Sequence, residues 1–173
     1  MTLSFRPMTA EDLRLLHEWQ QRPHVKRWWS DRETYEQVVE HYLPAIEGKE
    51  PADHFIMLLD ERPIGMIETY LVSDYPEYEA VVGVGAGVAG VDLLIGEEAL
   101  IGRGLGSEVI NRFVEEVVFA SPATVACIAG PEASNIASIR AFEKAGFRRE
   151  REFLEEGRPH VLVRRDRQEQ ASA

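Results

Sequence analysis

The stretch VDLLIGEEALIGRGLGS, residues 91–107, decides the fold. It opens with a short apolar run, residues 91–95, that one carboxylate, Asp92, interrupts, and it closes with three glycines at alternate positions of residues 101–107. Apolar residues at helical spacing follow over residues 105–118, so the pattern predicts a strand, a connection, a glycine loop and a helix. Glycines let backbone N–H groups approach an anion, and the N-terminus of the helix adds its dipole. This arrangement is typical of a phosphate or pyrophosphate site.

The glycine loop differs from two common phosphate motifs. The G-x-x-x-x-G-K-[ST] spacing of a P-loop is absent, and no tight strand–turn–helix unit frames a G-x-G-x-x-G. Alternate glycines before a helix also occur in flexible turns, so the loop alone leaves both interpretations open.

Length, composition and the single cysteine narrow the class of protein. A chain of 173 residues fits one domain, and 45% hydrophobic residues are ordinary for a globular protein. The sequence has no apolar run of 18 residues and no signal-peptide pattern, so we expect no membrane association and a cytoplasmic location. Cys127 is expected to be a small buried hydrophobe. The five histidines lack ligand spacing, so we predict no metal.

The net charge of −11 is unevenly distributed. Residues 1–100 hold 8 Lys and Arg against 19 Asp and Glu, whereas residues 101–173 hold 11 of each. Because no basic stripe is visible, nucleic acid is not an expected partner. The acidic half is interpreted either as a solvated surface or as the half that takes a cationic ligand, with an anionic ligand near the neutral half.

Helix and strand signals before the glycine loop are clear in two places. Ser30 or Asp31 is expected to cap a helix that Pro44 kinks or ends. Residues 54–59 and 64–72 predict a β-hairpin.

The remaining segments divide into loops and one long helix. Residues 73–79 predict a polar loop, and residues 80–90, rich in Gly, Ala and Val, are either a flexible flap or a glycine-weakened strand. Ser134 or Asn135 is expected to cap a helix that ends at a left-handed Gly146.

Motifs over about residues 5–165 carry a family resemblance. IGRGLG at residues 101–106, Ser134-Asn135 and AFEKAGF at residues 141–147 resemble the acyl-CoA site of the GCN5-related N-acetyltransferase (GNAT) superfamily. Four more motifs are similar to the aminoglycoside 6′-N-acetyltransferases of that superfamily: HVKRWW at 24–29, YLP at 42–44, PIG at 63–65 and GVD at 90–92. Ile101 stands where the superfamily usually has Gln or Arg, but backbone amides would still hold the pyrophosphate.

The resemblance implies an α/β (α+β) GNAT fold in a single domain, residues 1–166. The polar residues 167–173 are expected to form a frayed tail. The central sheet of the fold would be mixed and mostly antiparallel, with about six or seven strands and about four flanking helices. The implied co-substrate is acetyl-CoA, and the implied reaction moves its acetyl group to the 6′-amine of an aminoglycoside, a cationic small molecule.

Site residues follow from the matched motifs and from charge. Asp92 matches the family's active-site aspartate, the general base toward the amine; without the resemblance, a turn-capping role is the simpler interpretation. The residues expected to bind acetyl-CoA are Leu93, Leu94, Ile95, Ile101, Gly102, Arg103, Gly104, Leu105, Gly106, Ser107, Asn135 and Arg140. The residues expected to bind the acceptor are Trp29, Tyr42, Glu68, Glu79 and Asp92. Paired tryptophans can also plug a core, and a glutamate in a strand usually faces solvent.

Two departures from the family leave other functions open. Gly130 stands where the family often has a second aspartate, and Phe142 stands where it has a tyrosine as general acid. One alternative is an acyl-CoA-dependent transferase for another amine, such as the hydroxylysine of a siderophore. The other is a module that binds acyl-CoA or an aminoglycoside without catalysis.

Overall fold

The structure is a computed structural model that describes residues 1–29 and 32–169. Its strands are β1 (Leu3–Pro7), β2 (Asp53–Leu59), β3 (Arg62–Leu71), β4 (Val88–Ile95), β5 (Ala126–Ala129), β6 (Arg148–Glu155) and β7 (Arg158–Asp166). They are hydrogen-bonded in the order β1-β2-β3-β4-β5-β7-β6. The β4–β5 register is parallel, and those of β1–β2, β2–β3, β5–β7 and β6–β7 are antiparallel. The predicted mixed, mostly antiparallel sheet is confirmed.

The described residues form six α-helices. They are α1 (Leu13–Gln21), α2 (Pro23–Lys26), α3 (Tyr35–Ile46), α4 (Pro76–Val82), α5 (Leu105–Glu116) and α6 (Ile136–Lys144). Short 3-10 turns lie at Ala10–Asp12, Val72–Asp74, Glu98–Leu100 and Val118–Ala120. The α+β class is therefore confirmed, and the short helices α2 and α4 account for the excess over about four.

Contacts divide the chain into two units, residues 1–70 with 91–105 and residues 71–90 with 106–173. The first unit contains one apolar core. Its strands contribute Ile56, Met66 and Leu94, and the other buried members come from α1, α2, α3 and the segment before α1: Met8, Leu13, Leu16, Trp19, Val25, Val38 and Tyr42. Burial of these large side chains on one sheet face fixes α1 and α3 against β2, β3 and β4.

Helix α3 begins later than the sequence suggested. Thr34 caps it by accepting a hydrogen bond from Gln37 N at 3.2 Å, and Gln37 Oε1 accepts from Thr34 N in return. This reciprocal pair is a capping box, which satisfies two backbone donors at once. The predicted caps Ser30 and Asp31 lie outside the described residues. Pro44 lies inside the helix, which continues to Ile46.

In the second unit, the prediction of a loop at residues 73–79 and a flap or weak strand at residues 80–90 is wrong in its first half. Residues Pro76–Val82 form α4, with Pro76 in the first turn, and Gly83 ends the helix in the left-handed region at φ 58°. Proline suits a first helical turn because its missing N–H has no intrahelical partner there. Strand β4 then begins at Val88.

Toward residue 169, the predicted helix with its Asn135 cap is confirmed, whereas the predicted frayed tail is wrong at Arg167. Asn135 caps α6, and Gly146 follows it at φ 90°, as predicted. The tail is not frayed at Arg167, whose guanidinium donates to Thr124 O at 2.8 Å and to Ser121 O at 2.6 Å. Residues 170–173 lie outside the described part of the chain.

Candidate active site

A polar row continues the apolar sheet face of the first unit. Side chains alternate along a strand, so residues two apart share a face. Asp92 therefore lies on the face of buried Leu94, and Glu68 and Tyr70 lie on the face of buried Met66. His54 shares the face of Ile56 in the same way, as the core members Ile56, Met66 and Leu94 show. The carboxylates of Asp92 and Glu68 and the polar groups of Tyr70 and His54 thus lie on the same sheet face as one apolar core.

Asp92 and Tyr70 are in direct contact. Tyr70 Oη donates a hydrogen bond to Asp92 Oδ2 at 3.1 Å, and both side chains are partly buried. Gly96 N donates to Ile64 O at 2.7 Å. The contacts of residue 64 with 96 and of residue 70 with 92 together indicate that β3 and β4 run antiparallel. Sequence reasoning missed Tyr70, although its position two residues after Glu68 on a predicted strand was a usable signal.

Glu68 is half of a close pair that the sequence did not suggest. The β2–β3 register sets His54 opposite Glu68, and His54 Nε2 lies 2.5 Å from Glu68 Oε2. The exposed fractions are 6% for the His54 side chain and 18% for that of Glu68. Glu68 does not follow the usual rule that a strand glutamate faces solvent.

The two aromatic residues predicted to wall the acceptor site pack in the core. Tyr42 is only 1% exposed and lies edge-on to His54, with 5.0 Å between ring centroids. Trp29 is partly buried against the same core, and its Nε1 is buried without a hydrogen-bond partner among residues 1–29 and 32–169. The structure thus assigns Tyr42 a packing role, whereas Trp29 keeps part of its surface exposed.

The end of β4 is held by a side chain of α2 and by Arg22, the residue between α1 and α2. His24 Nε2 lies 3.0 Å from Ile95 O, and Arg22 Nη1 donates to Gly96 O at 2.6 Å. Arg22 also pairs with Glu97 Oε1 at 3.1 Å, which accepts from Trp19 Nε1 at 3.3 Å. Of the predicted pantetheine strand, Leu94 is buried in the core, Leu93 is partly buried, and the Ile95 carbonyl contacts His24.

The glycine loop has the conformation that its sequence requires. Gly102 and Gly104 have φ of 78° and 77°, and nothing lies within 4 Å of a Cβ at either position. A side chain there would be disfavoured by backbone strain rather than by a neighbour. Ile101 and Arg103 are exposed, whereas Leu105 is buried at the start of α5.

In the second unit, the remaining predicted cofactor residues lie at helix starts and surfaces. Gly106 and Ser107 lie in the first turn of α5 and are partly buried. Asn135 Oδ1 accepts from Ser138 N at 3.2 Å, which is the cap of α6, and Arg140 is exposed on that helix. Phe142 is 3% exposed and packs on Phe147.

Glu79 has a local structural contact. Its Oε1 accepts from Gly85 N at 2.9 Å, which closes the turn after α4, while Oε2 is buried without a partner among the described residues. The contact ties this predicted substrate residue to its own turn, and its binding role stays a prediction.

Gly130 is enclosed by aromatic rings of the same unit. A Cβ there would lie 2.7 Å from Phe153 Cζ and 3.3 Å from Tyr78 Oη. His160 Nδ1 lies 2.8 Å from Gly130 O, and its ring stacks on Phe153 at 5.5 Å. An aspartate at this position would therefore require the Phe153 ring to move.

Three further observations concern metal ligands, the single cysteine and membrane-spanning helices. Within residues 1–29 and 32–169, no three His, Cys, Asp or Glu side chains are grouped as a metal site requires. Cys127 is a buried thiol, as expected for a small hydrophobe. In the same described ranges, no helix is long and apolar enough to cross a membrane.

Comparison with known proteins assigns the family. A model of the acetyltransferase (GNAT) domain matches residues 8–154. The aminoglycoside N(6′)-acetyltransferase type 1 of Klebsiella pneumoniae is 32% identical over 170 residues, which are 96% of this chain and 84% of that protein.

Solved structures agree with the sequence relatives. Aminoglycoside acetyltransferase AAC(6′)-Ib with coenzyme A and kanamycin is 32% identical, with a TM-score of 0.84 over 96% of this chain and 95% of that one. The AAC(6′)-Ib complex with ribostamycin and coenzyme A is 31% identical, with a TM-score of 0.85 over 96% and 94% of the two chains. The chain therefore belongs to the GNAT acetyltransferase family.

Proposed function

We propose that the protein transfers the acetyl group of acetyl-CoA to the 6′-amine of an aminoglycoside. The observation that carries the proposal is the contact between Tyr70 and Asp92, in a row of polar side chains at the end of an apolar sheet face. Relatives that span nearly the whole chain carry this activity in their names, and their solved complexes hold coenzyme A with kanamycin or ribostamycin. We also propose that the enzyme acts in the cytoplasm, where acetyl-CoA is made.

Asp92 is the proposed general base. A primary amine resembles lysine, whose pKa is near 10.4, so it is mostly protonated at pH 7 and cannot attack a thioester in that form. A carboxylate binds the ammonium and takes its proton, directly or through water, as attack begins. The Tyr70 hydroxyl, which donates to Oδ2, fixes the rotamer of Asp92 for that task.

The transfer needs no covalent enzyme intermediate. The amine nitrogen attacks the thioester carbonyl carbon, the C–N bond forms, and the C–S bond breaks to release the thiolate of coenzyme A. Holding both substrates together supplies the effective concentration, and backbone N–H groups of the strand that carries Asp92 would stabilise the oxyanion. Phe142 has no proton to donate, so water or the departing substrate proton neutralises the thiolate.

The acidic N-terminal part of the sequence suits a ligand with several ammonium groups. Residues 1–100 carry the whole net charge of −11. Within the first unit, Asp92 and Glu68 lie on one face of adjoining strands, and each would pair with an ammonium group of the acceptor. The glycine loop around Gly102 and Gly104 would receive the pyrophosphate of acetyl-CoA, because its left-handed backbone lets amides approach an anion closely.

Release of free thiol from acetyl-CoA tests the proposal. The acceptors are kanamycin, tobramycin, an aminoglycoside with a 6′-hydroxyl group, and hydroxylysine. We expect release with the 6′-amino drugs only, and a loss of about 10²–10⁴-fold in kcat for Asp92→Asn. Acetyl-CoA binding without thiol release from any drug would overturn the aminoglycoside assignment, and selective turnover of hydroxylysine would replace it.

A further inference from the structure

His54 and Glu68 form a pair that the proposed chemistry does not by itself require. The two residues are direct cross-strand neighbours on β2 and β3, so their side chains point from the same face of the sheet. His54 Nε2 and Glu68 Oε2 are 2.5 Å apart, and 94% of the His54 side chain is buried. A close contact of this kind fixes the direction of the carboxylate.

The other ring nitrogen of His54 argues against a role in packing alone. Nδ1 is buried and has no hydrogen-bond partner in residues 1–29 and 32–169. An unsatisfied buried polar atom costs roughly 1–3 kcal/mol, which an apolar residue at this position would avoid. The polar contact of the imidazole among these residues is therefore at Nε2, with Glu68.

The aromatic packing around His54 holds the ring in place. Tyr42 lies edge-on to it with 5.0 Å between ring centroids, and His41 in turn stacks on Tyr42 at 4.2 Å. Tyr42 is 1% exposed, so this contact cannot move without disturbing the core. Tyr42 therefore supports the His54 ring, and its predicted contact with the acceptor stays a prediction.

Glu68 has room for a second contact. Its side chain is 18% exposed, and among the described residues only His54 approaches its carboxylate within pairing distance. Along β3 it shares a face with Tyr70, which reaches Asp92. Glu68 and Asp92 are therefore two separately anchored carboxylates on one polar row.

We propose that His54 is a positioning residue that aims the Glu68 carboxylate at a second ammonium group of the acceptor, distinct from the amine that is acetylated. This inference rests on the proposed function and makes it narrower. Acceptors with two or more ammonium groups are selected over monoamines with the same reacting group. The Glu68 carboxylate supplies the charge for that selection, and His54 orients the carboxylate.

The test compares two acceptors with the same reacting amine. Kanamycin carries several ammonium groups, whereas the methyl glycoside of 6-amino-6-deoxyglucose carries one. The variants are His54→Phe, which keeps a ring beside Tyr42; His54→Gln, which can still donate to Glu68; Glu68→Gln; and the pair His54→Phe with Glu68→Gln. His41→Phe is the matched control, because His41 is exposed and pairs with Glu33 rather than Glu68.

Calorimetric Kd for kanamycin is the first readout, since it does not depend on turnover. We expect His54→Phe and Glu68→Gln each to weaken kanamycin binding about 10-fold, as one lost charged contact implies. The double variant should be no weaker than Glu68→Gln alone, and His54→Gln should recover most of the loss. KM for kanamycin should rise by the same factor, whereas kcat and KM for acetyl-CoA should stay within about twofold of the wild-type values. KM for the monoamine glycoside should not change.

Three results would overturn the inference. One is a His54→Phe protein that binds kanamycin as tightly as the wild type. The second is that His54→Phe weakens binding of kanamycin and of the monoamine equally. The third is that His41→Phe weakens kanamycin binding as much as His54→Phe does. Either would indicate a structural role. Failure of the proposed function has a different signature: the wild-type protein would neither bind nor acetylate kanamycin, and the role of His54 would then be rejected with it.

Discussion

Tyr70 Oη donates to Asp92 Oδ2 across 3.1 Å, which joins the end of β3 to the strand that carries the proposed base. The tyrosine follows Glu68 by two residues on the same face of β3, so one strand contributes both the partner of Asp92 and the second carboxylate. The hydroxyl holds Asp92 by hydrogen bonding, without adding charge. Its removal should therefore change the orientation of the base more than its chemistry.

The first prediction is that Tyr70→Phe lowers kcat of the acetyl transfer about 3–10-fold, whereas Asp92→Asn lowers it about 10²–10⁴-fold. The phenyl ring keeps the packing of β3 and removes the hydroxyl that donates to Oδ2. Thiol release from acetyl-CoA with kanamycin measures both. Tyr35→Phe is the control, because Tyr35 begins α3 in the same unit and its ring packs against Arg14 and His17. Equal losses in Tyr70→Phe and Asp92→Asn would mean that the hydroxyl itself takes part in proton transfer.

A second prediction concerns Gly65, where β3 approaches β4 closely. A Cβ at this position would lie 2.2 Å from Leu94 O and 3.1 Å from Ile95 Cα, both backbone atoms that cannot turn aside. Gly65→Ala should therefore push β4 away and destabilise the protein by about 2–4 kcal/mol, the range of an overpacked core. Since Asp92 lies two residues before Leu94, activity should fall as well.

Chemical denaturation checks the stability of Gly65→Ala. Gly106→Ala is its control: Gly106 is helical, and its nearest added contact, Ala141 Cβ, is at an ordinary 3.6 Å. We expect that control to be stabilised by about 0.5–1 kcal/mol, the usual gain in a helix. A Gly65→Ala protein as stable as the wild type would show that the two strands can separate at little cost.

Sequence reasoning found the elements whose signals are local. The 54–59 and 64–72 hairpin, the Asn135 cap and the left-handed Gly146 are all present, because alternation, capping and positive φ depend on a few neighbouring residues. Helix α4 was missed although Pro76 at its first turn was a start signal. Its seven residues hold too few apolar positions for a helical period to be visible.

The contacts of the site were harder to predict because they depend on register. Nothing in the sequence sets His54 opposite Glu68 until the hairpin pairing is known, and Glu68 therefore resembled a solvent-facing strand residue. In the same way, the choice of Gly130 could not be explained before Phe153 and Tyr78 were seen to fill the space beside it. Pairings between distant residues are the part of a fold that local patterns do not record.

The third prediction uses the ion pair between Arg6 and Asp12. Burial opposes the charge of Asp12, but hydrogen bonds from Arg6 and Thr9 and the charge of Arg6 outweigh it, so the pKa of Asp12 lies below its ordinary value. A lowered folded pKa stabilises the fold above the unfolded pKa, near 3.9, and that stability is lost as pH falls through the folded pKa.

Asp12→Asn should accordingly cost about 1–3 kcal/mol at pH 7, because the residue is 8% exposed and bonds a charged partner at 2.8 Å. The deficit against the wild type should stay constant down to about pH 5 and shrink below about pH 4. Urea unfolding at several pH values measures it. Asp166→Asn is the comparison: a hydrogen bond from Arg164 lowers the pKa of Asp166, but its side chain is 42% exposed, so we expect less than about 1 kcal/mol.

The last prediction tests whether position 130 can hold the aspartate that the family often has there. Gly130→Asp should destabilise the protein and fail to improve kanamycin turnover, because the new Cβ would meet Phe153 Cζ at 2.7 Å. That ring also contacts His160, at 5.5 Å, and Tyr78, at 6.5 Å, so any movement of it would disturb both contacts.

Combining Gly130→Asp with Phe153→Leu should restore much of the lost thermal stability, since the shorter side chain vacates the volume that the ring occupied. Phe153→Leu alone is the control, and we expect it to lose about 1–2 kcal/mol from the reduced packing. The two substitutions should therefore be strongly non-additive, as expected for residues in contact. Additive losses would mean that Gly130 is required for a reason other than the ring, such as the backbone geometry that presents its carbonyl to His160 Nδ1.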